Sequence, residues 1–335
     1  MEEKRPDLPF LIFLALCGAA ILACAAYLVY HYVYLPARVE NQNARYEALY
    51  QPLGTEIPTV PPTQGPTAAP TQTSISAAAP PTQDPTAAQT QTLPSSPAPT
   101  VASDNVADVR LSTPDPDTIV YAFPTPPPVQ ESFSKLLALN PETVGYLTVG
   151  DMIALPVAQR ENDNEFYLTH NFEGKKSDEG CLFLDGVNRL ELSDKLLIVY
   201  GHNMKNGTMF GQLPNYEFKS VLNKNAVVSF DTIYENRRYV PFACFALNAD
   251  PSDHSYMELR KFQFTIGQFD EYVAALKERS LLDIPVDVQY GDDVLILVTC
   301  NYSVDDGRFC VALRKLRDGE TEEAVRALVQ QAMTK

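Results

Sequence analysis

Between Pro52 and Pro128 the chain carries 18 of its 27 prolines, and Thr, Gln, Ala and Ser fill most of the rest. Pro-Thr-Gln recurs at Pro62, Pro70 and Pro81, and Pro66-Thr67-Ala68-Ala69 is echoed at Pro85-Thr86-Ala87-Ala88. Such a stretch holds too few large apolar side chains to build a core. It therefore divides the chain, and a folded domain has to be made from about Gln130 onward. Polyproline-like backbone rises about 3.1 Å per residue, so an extended segment of this length reaches on the order of 200 Å. The expectation is a disordered stalk that carries the domain away from whatever precedes it. A Pro-rich ligand for a partner protein is the alternative, but most of these prolines lack aromatic or basic anchors beside them.

What precedes the stalk is apolar. Phe10–Leu35 holds no formally charged residue and exceeds the 20 or so residues that cross a bilayer. Lys4 and Arg5 stand before it, but Glu2, Glu3 and Asp7 accompany them and Arg38 and Arg45 follow, so the positive-inside signal is weak. A cleavable signal peptide competes, yet the apolar run continues to Val33, past the length of a usual signal core. The organisation expected is a cytoplasmic N-terminus at 1–9, a transmembrane anchor at 10–35, and a juxtamembrane segment with the stalk at 36–128. A folded domain at 129–335 then lies outside the cell membrane. Within the juxtamembrane part, Ala37–Gln51 has a short helical pattern.

Charge and cysteine usage narrow the chemistry. The formal net charge is −16, and from Glu131 onward 21 Lys and Arg face 31 Asp and Glu, so most of the acidity belongs to the domain. Nucleic acid is not an expected partner, because phosphate binding needs a basic surface. Of six cysteines, Cys17 and Cys24 lie in the apolar span, leaving Cys181, Cys244, Cys300 and Cys310. No CxxC pair, Gly-rich phosphate loop or His/carboxylate cluster is present, so neither a metal nor another cofactor is expected. Cys181, Cys244 and Cys310 read as small buried hydrophobes. A Cys300–Cys310 disulfide is the competing possibility for Cys300.

The domain reads as mainly β. Val144–Leu147, Ile153–Val157, Cys181–Leu184, Leu196–Tyr200, Ala226–Phe230, Arg238–Leu247, Val294–Val298 and Phe309–Leu313 are short apolar runs separated by turn signals. That pattern predicts a closed or sandwich architecture. Helices are expected at Ser132–Asn140, at Phe269–Arg279 and at Thr321–Met333.

The candidate chemistry sits in Asp292–Leu313. Val294–Val298 ends at Thr299-Cys300, the polar stretch Asn301–Gly307 closes in Asp-Asp-Gly, and Arg308 opens the next strand. A hairpin there sets a thiol and a guanidinium facing one point. A thiol attacks as its thiolate, and a free cysteine has a pKa of about 8.5, so a neighbouring base or cation is required. His202, at the end of Leu196–Tyr200 in Gly201-His202-Asn203, is the histidine in a comparable setting, and Cys plus His from distant segments is a nucleophile's arrangement. Arg308 keeps its charge at any working pH and is a candidate donor to an oxyanion. A surface salt bridge to Asp305 or Asp306 is its competing reading. His170 reads as structural, and His254 as a solvated loop residue.

These residues carry a resemblance. Tyr200-Gly201-His202-Asn203-Met204, Met209-Phe210-Gly211, Leu297-Val298-Thr299-Cys300 and Arg308 resemble the sortases, membrane-anchored cysteine transpeptidases of Gram-positive bacteria, and specifically class B. Further matches are Asp163-Asn164, Tyr167-Leu168, His170, Gly180 and Phe183-Leu184-Asp185. The resemblance implies a sortase-type closed β-barrel with peripheral helices, with Phe269–Arg279 in the connection between its sixth and seventh strands. It implies Cys300, His202 and Arg308 as the catalytic trio, and Asn164, Leu168, Tyr272, Val273, Val298 and Thr299 as substrate-binding positions. Thr299 or the backbone beside Cys300 would add a second donor. Implied partners are surface proteins bearing a Pro-x-Thr sorting signal, with an amine of a peptidoglycan precursor or a pilin as acceptor. One departure stands out: class B enzymes usually read Leu-Ser-Thr-Cys, and here Val298 replaces the serine. A cysteine peptidase that releases its product to water, and a non-catalytic wall-spanning module, are the alternative readings.

Overall fold

The longest apolar runs of the domain become neighbours in one closed sheet. The computed structural model describes residues 8–50, 125–300 and 305–335. Most of the Pro-rich stretch, at 51–124, and residues 301–304 lie outside the described residues. The strands are β1 (Thr143–Val149), β2 (Ile153–Ala158), β3 (Leu182–Leu184), β4 (Leu196–Tyr200), β5 (Val228–Thr232), β6 (Arg238–Asn248), β7 (Leu282–Asp283), β8 (Val294–Cys300), β9 (Gly307–Lys315) and β10 (Met333–Thr334). Eight of them close a barrel in the order β1-β2-β3-β4-β8-β9-β6-β5, with β5 returning to β1. These eight coincide with the eight runs expected from sequence.

Two pairings, β2 with β3 and β4 with β8, are parallel, and the others are antiparallel. Leu196–Val199 and Val294–Val298 are buried without interruption, as strands covered on both faces have to be. Irregularities fall where side chains demand them. Pro241 has no N–H for the ladder, and the register of β6 against β9 shifts between Pro241 and Ala243. Gly145 sits at the β1 irregularity, where a Cβ would lie 2.7 Å from the Asp231 carbonyl oxygen.

The helices cover the barrel. α5 (Ile266–Arg279) crosses between the sixth and seventh barrel strands; a capping box between Thr265 and Gln268 starts it, and Phe269, Tyr272, Val273 and Leu276 are buried along one face. The helix predicted at Ser132–Asn140 is present as α3 (Ser134–Leu139), entered through a 3₁₀ turn at Glu131–Phe133. α6 (Glu322–Gln330) is shorter than the predicted Thr321–Met333: Met333–Thr334 leaves the helix as β10 and pairs with β7. Neither β7 nor the short α4 (Lys219–Lys224, KSVLNK) gives a sequence signal, because two-residue strands have no period and α4 buries only Leu222.

At the N-terminus α1 (Leu8–Val29) runs through a π-helical turn at Tyr30–Tyr34 into α2 (Leu35–Leu49). From Leu16 the helix is long and apolar enough to cross a membrane, and none of its apolar window is buried in the protein. α2 behaves differently. Val39 and Tyr46, and Tyr50 just beyond the helix, are buried, and Tyr46 and Tyr50 join a cluster on the barrel wall with Phe133, Tyr146 and Phe172.

Candidate active site

Strand register alone brings the three predicted catalytic residues to one rim of the barrel. β4 and β8 are parallel with Tyr200 opposite Val298, so two residues later His202 and Cys300 emerge side by side. β9 runs antiparallel to β8 with Arg308 directly opposite Cys300. Backbone contacts then hold the turn after β4: Gly201 N–H donates to the Val298 carbonyl at 3.2 Å, Phe210 N–H to the His202 carbonyl at 2.9 Å, and the Asn203 side-chain amide to the Cys300 carbonyl at 2.7 Å. Gly201 has no alternative, since a Cβ there would meet Leu182 at 2.4 Å and Phe210 at 2.8 Å.

His202 has a defined orientation. Its Nε2 lies 2.7 Å from the Leu168 carbonyl, which only accepts, so Nε2 carries a proton and Nδ1 is the nitrogen left to exchange one. The two reacting groups shift in opposite directions. The hydrogen bond with His202 holds the Cys300 thiol below its ordinary range, helped by the charges of Arg308 and His202 and opposed by burial. The same hydrogen bond raises the His202 imidazole, supported by Leu168 and again opposed by burial. Each group favours the charged form of the other.

The remaining cysteines are set apart by burial. All six are free, so the Cys300–Cys310 disulfide is not formed. Burial pushes the Cys244 thiol up to about 11 and those of Cys181 and Cys310 higher still. Arg308 pairs with no carboxylate among the described residues, and its Nη1 donates to the Gly307 carbonyl at 2.9 Å, so the salt bridge with Asp305 or Asp306 is absent. A cavity of about 360 Å³ opens in front of the trio, and Asn164, Leu168, Val298 and Thr299 contribute to its lining.

No protein-family model matches the chain. It is 33% identical over 178 residues to sortase B of Listeria monocytogenes, an alignment covering 53% of this chain and 70% of that protein. The chain belongs to the sortase B family. Sortase B of Staphylococcus aureus is 25% identical over 193 residues, covering 56% of this chain and 76% of that one. Among solved structures, Bacillus anthracis sortase B in complex with AAEK2 superposes with a TM-score of 0.51 at 27% identity, over 57% of this chain and 85% of that one. A mutant form of Clostridium perfringens sortase B gives 0.51 at 29% identity, over 56% and 87%. Sortases B are cysteine transpeptidases, and this chain is one by membership.

In this sortase the substrate positions carried over from the family divide in two. Asn164 and Leu168 line the cavity, Asn164 with its Oδ1 already accepting from Gly186 N–H at 2.7 Å. Tyr272 and Val273 do not line it. Both belong to the core under α5, where the Tyr272 hydroxyl donates to the Leu259 carbonyl and its ring packs on Phe264. Thr299 is 2% exposed, and its hydroxyl donates to the Gly201 carbonyl at 2.7 Å, so it is committed to holding β4 and β8 together. His170 stacks on Phe166 with ring centroids 4.0 Å apart, a structural placement, and His254 is solvated.

Sequence reasoning passed over Phe183 and Tyr200, which line the cavity and stack on each other. Beneath them lies Asp185, fully buried, which accepts from the Tyr200 hydroxyl at 2.9 Å and from Arg260 at 2.7 and 3.1 Å. Asp185 stood in the sequence as the polar end of a strand and in the matching stretch Phe183-Leu184-Asp185, with no role assigned to it. Arg260 lies 75 residues away in the β6–α5 connection, a separation no local pattern bridges.

Proposed function

We propose that this sortase cleaves a C-terminal sorting signal of the Asn-Pro-x-Thr or Leu-Pro-x-Thr kind after its threonine and joins the new acyl end to an amine of a cell-wall precursor or of a pilin. The observation that carries this reading is the convergence of a thiol held low, an imidazole held high and a guanidinium at one rim beside an open cavity. The Cys300 thiolate attacks the threonine carbonyl carbon, and the pair of electrons that leaves the C=O bond makes an oxyanion next to Arg308. As the intermediate collapses, the C–N bond breaks and the His202 imidazolium gives its proton to the leaving amine. A thioester on Cys300 remains. The acceptor amine attacks it, His202 takes the amine's proton, and the thiolate leaves. Val298 in place of a serine gives the cavity an apolar wall beside Cys300, which favours an aliphatic or proline side chain of the signal over a polar one.

The same reading puts 1–9 in the cytoplasm, residues 10–35 across the membrane and residues 129–335 outside it as the catalytic domain. Its test is mass spectrometry of the detergent-solubilised full chain with peptides bearing either signal, with and without excess primary amine. An acyl adduct on Cys300 that turns over to an amide of the added amine is expected. Free acid as the sole product, whatever the amine concentration, would make the protein a peptidase. Absence of any adduct would remove the catalytic reading.

A further inference from the structure

The residues on either side of the Pro-rich segment are held at one place on the barrel. Before it, Tyr50 stacks on Tyr146 with ring centroids 4.4 Å apart and leans on Phe133, and its hydroxyl donates to Asp231 at 2.7 Å. After it, Gln130 N–H donates to the Ile233 carbonyl and the Gln130 side chain to the Thr232 carbonyl, both at 2.7 Å. Residues 50 and 130 are therefore fixed by three consecutive residues, 231–233, at the end of β5. The rest of α2 is seated as well: Tyr46 meets the edge of Phe172 at 5.2 Å, and Arg45 pairs with Glu173 at 2.7 Å. A buried tyrosine with its hydroxyl partnered is the amphipathic anchor expected of an interface, and two stand here: Tyr46 in α2, whose hydroxyl accepts from the Gln42 side chain at 2.7 Å, and Tyr50 just after it.

We propose that α2 is a docked part of the catalytic domain and that the Pro-rich segment is an excursion leaving and re-entering at β5, not a stalk that spaces the domain from α1. The helix that continues α1, and not residues 51–129, then sets the distance between the domain and the membrane. The catalytic rim follows from this. Tyr30, the first residue after α1, and Met204, two residues after His202, line one cavity of about 500 Å³ together with Arg38 and Gln42. With α1 in a bilayer, the His202 turn lies where the helix leaves it. The inference stands on packing and does not depend on the chemistry at Cys300.

The test is a cut. The full chain, tagged at its N-terminus and held in detergent, receives a specific protease site between Ala87 and Ala88, is immobilised through the tag and is cleaved completely. The catalytic fragment is expected to stay on the resin, because the α2 interface holds it. Elution of the intact fragment on cleavage would overturn the proposal and restore the stalk. Tyr46→Ala combined with Tyr50→Ala should release the cut fragment, and retention by that variant would show that these contacts are not what holds it. Excess synthetic peptide spanning Leu35–Tyr50 should displace the cut wild-type fragment without any substitution in the barrel, so a folding defect of the variant does not decide the outcome. No displacement by that peptide would count against a reversible dock.

Discussion

At the scale of single residues, the site separates one cysteine from three others by its surroundings. Cys310 is two residues beyond Arg308 on the same strand and opposes Val298, yet burial alone raises its thiol, whereas Cys300 at the strand end meets His202 and Arg308. Cys300→Ala should abolish both peptide cleavage and transfer while leaving the fold intact, measured by turnover and thermal unfolding. Arg308 tests a different step. Arg308→Ala removes a donor from the developing oxyanion, and kcat should fall by about 10²–10³-fold, with alkylation of Cys300 still accessible. A loss of alkylation matching the loss of kcat would mean that Arg308 acts only through the thiolate. Because the thiol is lowered and the imidazole raised, the rate should be bell-shaped in pH. It falls on the acid side as Cys300 takes a proton and on the alkaline side as His202 loses one, and the two limbs belong to the coupled pair.

At the scale of elements, the barrel strands and the strand-end positions of Cys300, His202 and Arg308 were legible in the sequence because each strand is an apolar run that ends in a polar turn, and strand ends are where a β-barrel exposes side chains. The parallel register that puts Gly201-His202 beside Thr299-Cys300 was not legible, since residues 98 apart leave no local trace of their pairing. Nor was the fate of α5. Its sequence shows an amphipathic face, and Tyr272 and Val273 lie on that face, buried in the core and outside the lining of the cavity at Cys300. Tyr272→Phe should therefore cost roughly 1 kcal/mol of stability through the lost bond to Leu259 and leave peptide KM unchanged; a raised KM at unchanged stability would return Tyr272 to the groove. Arg260→Ala should cost more, roughly 2–3 kcal/mol, because it leaves fully buried Asp185 without its guanidinium even though Arg260 itself is half exposed. Chemical denaturation compares the two.

At the scale of the whole molecule, the apolar helix α1, the docked α2 and the barrel form a continuous sequence of described contacts, while the acidic charge is carried mostly by the domain. Composition alone announced the apolar span and the core-free segment. It could not announce that Tyr50 reaches Asp231 on β5 while Tyr46 packs on Phe172, because an aromatic in or beside a short helix looks the same whether it is docked or not. The central claim is that three strand ends build a thiolate nucleophile at Cys300. Its most direct test is the pH dependence of iodoacetamide alkylation of Cys300, followed by peptide mass spectrometry, in the wild type and in His202→Ala. The wild type should alkylate with an inflection below the value of about 8.5 for a free cysteine, and His202→Ala should move that inflection upward. An inflection at or above the free-cysteine value, or one that His202→Ala leaves in place, would contradict the account.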